Sequence, residues 1–74
     1  MERKQIKTLL ELATTFEKAD SIMKKYTPYK TDEERTAFLE GMFDCRIVGR
    51  TGEDPHTDYV VVLTSIVEKK WRGL

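Results

Sequence analysis

Asp54-Pro55-His56-Thr57-Asp58-Tyr59-Val60-Val61-Val62-Leu63-Thr64-Ser65-Ile66-Val67-Glu68-Lys69 is the stretch on which the fold turns. Its centre, Val60-Val61-Val62-Leu63, is β-branched and apolar, so propensity alone favours a strand. Its periodicity favours a helix: Tyr59, Val60, Leu63, Ile66, Val67 and Trp71 share one face of a helical wheel, with Val62 at the margin. Thr64, Ser65, Glu68 and Lys69 occupy the other side, with only Val61 out of place. Asp54-Pro55 supplies an N-cap followed by proline at the first helical position, where the missing N–H is no loss. The stretch therefore predicts a helix over about 55–72. The alternative is two helices followed by a β-hairpin, in which Arg46-Ile47-Val48 pairs with Val60–Leu63 across a glycine-containing loop.

Upstream, Thr31-Asp32-Glu33-Glu34 has the form of a capping box, with Thr31 accepting from the backbone of Glu34 and three acids suiting the helix dipole. The helix predicted over 32–48 gathers Ala37, Phe38, Gly41, Met42, Cys45 and Val48 on one side. Leu39, Phe43 and Ile47 form a second stripe at i, i+4, i+8. A helix apolar around most of its circumference is normally buried from two sides, either sandwiched centrally in a bundle or covered by a second subunit, and Leu39, Phe43 and Ile47 are expected to line an oligomer interface. Gly49 is placed to cap the C-terminus.

Nearest the N-terminus, Leu9, Leu12, Phe16, Ala19, Met23 and Tyr26 recur at spacings of three and four, with Ile6, Leu10, Ala13 and Ile22 alongside. This heptad-like seam predicts one amphipathic helix over 2–26, closed by the restriction that Pro28 imposes on Thr27. The expectation is thus an all-α three-helix assembly (about 2–26, 32–48 and 55–72), forming a single small helical domain over 1–74 that is oligomeric.

A chain of 74 residues buries only about 60% of the surface its unfolded form exposes. Its lone thiol, Cys45, cannot form an internal disulfide. Packing or a partner must then supply the stability, and a reducing, cytoplasmic setting is expected. Met1–Gln5 leads into Ile6-Lys7-Thr8 without an apolar run, so neither a signal peptide nor a membrane span is expected. Net charge is zero, from 13 basic and 13 acidic side chains. The signs are segregated: +3 over residues 1–30, −5 over 31–58 and +2 over 59–74.

Chemistry-bearing patterns are sparse. His56 is the only histidine and Cys45 the only thiol, and one of each does not compose a metal site without several carboxylates. A Cys45–His56 nucleophilic pair would need an orienting third group, so an inert buried thiol and a surface histidine is the simpler reading. Asp32, Glu33 and Glu34 are sequence neighbours that point to different sides of a helix, which suits capping rather than a shared acid/base site. Neither Gly-x-Gly-x-x-Gly nor Gly-x-x-x-x-Gly-Lys occurs among the glycines. No catalytic, cofactor-binding or metal-binding residue is therefore expected.

The size matches helix-turn-helix modules, but the third helix opens with Asp54 and Asp58, which repel phosphates. Arg3, Lys4, Lys7, Lys69, Lys70 and Arg72 remain as a candidate basic patch, with Trp71 either exposed beside it or anchoring the core. The functional expectation is a small non-enzymatic protein–protein interaction module: a regulatory adaptor, inhibitor or assembly component of a bacterial or phage system. Its expected partner is a protein, first of all a second copy of itself. The alternative is a DNA-associated regulator using the basic termini.

Overall fold

The computed structural model describes residues 2–43 and 54–69. They form four helices, α1 (Arg3–Leu12), α2 (Phe16–Tyr26), α3 (Asp32–Phe43) and α4 (Pro55–Val67). The all-α class holds. Val60–Leu63 lies within α4, so the hairpin alternative is overturned. The cap at Asp54 explains why valine loses to periodicity here: its carboxylate accepts from the His56 backbone N–H at 3.3 Å and from the Thr57 hydroxyl at 3.0 Å.

The continuous helix expected over 2–26 is two helices. Ala13 is extended (φ −65°, ψ 136°), and Thr15, also extended, caps α2 by accepting the Lys18 N–H at 3.2 Å. Paired threonines are poor helix formers whose hydroxyls compete for backbone donors, and Glu17 in the first turn suits a helix start. The break reorients the seam. Leu12 is 72% exposed, whereas Ile6, Leu10 and Ala13 turn inward from the first segment and Ala19 and Met23 from the second.

One hydrophobic core joins the four helices, adding Leu39, Phe43, Tyr59, Val62, Leu63 and Ile66 to those five. The central element is α4, which packs on α1, α2 and α3. Burial reaches round α4 to Ser65 on its expected polar side, and the Ser65 hydroxyl is satisfied by donating to the Val61 carbonyl at 2.8 Å. One half of the capping box at α3 forms, with Glu34 N–H donating to Thr31 Oγ1 at 3.2 Å, while Glu34 Oε1 accepts from the Thr31 hydroxyl at 3.0 Å and from the Lys30 N–H at 3.4 Å rather than from the Thr31 backbone. The expectations for Cys45, Ile47, Val48, Gly49, Lys70, Trp71 and Arg72, and the extensions of α3 to 48 and of α4 to 72, lie outside the described residues.

Candidate functional site: a cationic groove between α1 and α3

Two of the three residues expected at an oligomer interface lie inside the chain's own core. Leu39 is 0% and Phe43 3% exposed, both in the core, and Ile47 lies outside the described residues. The physical reason is that α4, the helix against which α3 chiefly packs, covers the face of α3 that the sequence left without a lid. Among the described residues, the one large apolar side chain that stays exposed is Leu12.

The basic residues separate into two places. Lys69 takes a left-handed conformation (φ 61°) just past α4, and its Nζ donates to the Glu11 carbonyl at 2.6 Å, at the C-terminal end of α1. Arg3 and Lys4 begin the same helix, about 12 Å away at 1.5 Å per residue. The expected patch of Arg3, Lys4, Lys7 and Lys69 is therefore divided along α1, with Lys70 and Arg72 outside the described residues.

At the α1 start, Arg3, Lys4 and Lys7 line an open groove of about 510 Å³ together with Gly41 and Met42 of α3. Two of the cations are set by aromatic rings: the Arg3 guanidinium lies 5.3 Å from the Phe38 ring centre and the Lys7 ammonium 5.8 Å from that of Phe43. Phe38 is in turn packed against Tyr29 at 5.2 Å. Gly41 gives the guanidinium room. A Cβ there would lie 3.2 Å from Arg3 Nη2, so the bare backbone lets the guanidinium lie across α3. Among the described residues none of the three cations pairs with a carboxylate, and the Lys4 ammonium has no side-chain partner.

The other polar constellation holds helices together. The Tyr59 hydroxyl donates to Asp20 Oδ1 at 2.6 Å, and Lys24 pairs with Asp20 Oδ2 at 3.0 Å. Burial raises the Asp20 pKa, but the Tyr59 hydrogen bond and the Lys24 charge outweigh it and leave the carboxyl below its ordinary value. Tyr59 is pushed far up, by burial first and by the adjacent Asp20 second. At the starts of α3 and α4, His56 Nδ1 donates to Asp32 Oδ2 at 2.9 Å, while Asp32 Oδ1 accepts from Arg35 Nη1 at 3.0 Å. Arg35 Nη2 continues to the Tyr29 carbonyl at 3.2 Å. These pairings span up to 39 residues of sequence, and no local pattern announces them.

Among the described residues there is no group of three or more His, Cys, Asp or Glu able to hold a metal ion, and no helix is long and apolar enough to cross a membrane. Compared with protein-family models, characterised proteins and solved structures, the chain matches none.

Proposed function

We propose that this chain is a small, non-enzymatic protein–protein interaction module that works in the cytoplasm and binds acidic polypeptide surface through the α1–α3 groove. The observation that carries the reading is the convergence of Arg3, Lys4 and Lys7 on one concavity, where among the described residues none of them forms an ion pair with a carboxylate. Holding like charges together opposes folding slightly, and an acidic partner turns that cost into affinity and orientation. The acid and base groups an enzyme would use support the same reading. Asp20 and Tyr59 are engaged with each other, and His56, Asp32 and Arg35 tie α3 to α4.

Protein is favoured over nucleic acid because the cations form a compact cluster beside an apolar floor at Met42. A phosphate backbone needs a track of charge, and Lys69 is held away from the cluster by Glu11. Retention of a poly-glutamate probe by the wild-type chain, measured by fluorescence anisotropy against duplex DNA at matched salt, tests this. Binding of poly-glutamate that Lys4→Glu/Lys7→Glu abolishes is the expected result. Binding of DNA alone, with a steep salt dependence, would replace the reading with that of a DNA-associated regulator.

A further inference from the structure

We infer that the occupant of the groove is a second copy of this chain, docked through α3 in an antiparallel, twofold arrangement. The inference rests on the groove being an interaction site and adds the identity and register of the partner. Glu34 and Gly41 are seven residues apart on α3, which puts them on the same face two turns from each other. Ala37 lies between them, exposed, with the half-buried Phe38 at its side. A twofold axis near Ala37 and Phe38 sets Glu34 of one copy opposite Gly41 of the other. Gly41 is where Arg3 crosses α3, so the acidic first turn of each copy meets the Arg3–Lys4 end of its partner's groove.

The charges are complementary in that register. Glu33 is exposed and has no hydrogen bond or ion pair among the described residues, and Lys4 at the groove likewise has no side-chain partner. Because the contact is isologous, each complementary pair occurs twice. The arrangement places the small side chain of Ala37 at the axis, with Phe38 beside it beneath the Arg3 guanidinium and the acids of the α3 first turn farther out. It also accounts for the segregation of charge in a chain whose net charge is zero: the −5 segment begins at the acids of α3, and the +3 segment supplies the groove.

Sedimentation equilibrium over a concentration series tests the inference, with circular dichroism to confirm helicity. The wild-type chain is expected to approach twice its 8.7 kDa mass. Lys4→Glu and Glu33→Lys each place like charges at both ends of the dimer and should weaken it by at least about tenfold. An equimolar mixture of the two variants restores opposite charges at both ends, so a heterodimer of near wild-type strength is expected; misfolded variants would not recover on mixing. Ala37→Arg, which puts two cations near the axis, should give monomer. A wild-type monomer at every concentration, a dimer indifferent to Ala37→Arg, or no recovery on mixing would overturn the inference. If the monomer still retains poly-glutamate, the interaction reading stands without self-association; if it does not, both fall.

Discussion

Tyr59 donates its hydroxyl to Asp20 Oδ1 across 2.6 Å, joining the central helix α4 to α2. The ring stands edge-on to Phe16 with centroids 6.2 Å apart, so one side chain serves both the core and the polar network at its edge. Removing the hydroxyl in Tyr59→Phe leaves the packing in place and deprives a half-buried carboxylate of one of its two donors, the other being Lys24. A loss of about 1.5–3 kcal/mol is expected, the range for a hydrogen bond to a charged group. Urea denaturation followed by circular dichroism measures it, and a change within error of zero would show the pair to be energetically idle.

The same pair sets the pH limits of stability. Asp20 has its pKa below the ordinary 3.8, so its contribution is complete above that value and is lost as pH falls through the lowered pKa. Tyr59 has its pKa above the ordinary 10.0, so its contribution is complete below that value and declines as pH rises further. Stability measured against pH should fall at both extremes. In Asp20→Asn the acid-side fall should shrink, and an unchanged acid limb would point to other carboxylates.

Leu39 is wholly enclosed by the chain itself, whereas Leu12 is 72% exposed. Leu39→Ala is therefore expected to cost about 2–5 kcal/mol, enough to unfold much of a marginal 74-residue chain. Leu12→Ala should stay within about 0.5 kcal/mol. Thermal melts of the two variants make the comparison. The reverse order would mean that Leu39 serves an intermolecular contact rather than the core.

Thr15 accepts the Lys18 N–H at the start of α2, and Thr15→Ala should cost about 1 kcal/mol. Were residues 2–26 one helix, the same change would insert the best helix former into its interior and would be neutral or stabilising. The sign of the change in midpoint on urea denaturation thus separates four helices from three.

The local rules written into the sequence determined the helical class. Asp54-Pro55, Thr31 with Glu34, and the threefold and fourfold spacing of apolar residues each act within a turn or two of chain, and the helix starts predicted at Asp32 and Pro55 formed where these signals place them. The Thr14-Thr15 break carried a local signal too, a capping threonine with Glu17 behind it, but an apolar seam that runs on past it gives the same spacing whether or not the helix is continuous. Only the tertiary structure decided which apolar surfaces meet. Periodicity gives the direction in which a side chain points and not what lies opposite, so Leu39 and Phe43 found α4 where the sequence left a partner to be supplied. Long-range packing likewise brought Asp20 to Tyr59 and Asp32 to His56. It also gathered Arg3, Lys4 and Lys7 against Gly41 and Met42 and set Lys69 apart, because position in space depends on how helices cross and not on charge along the chain.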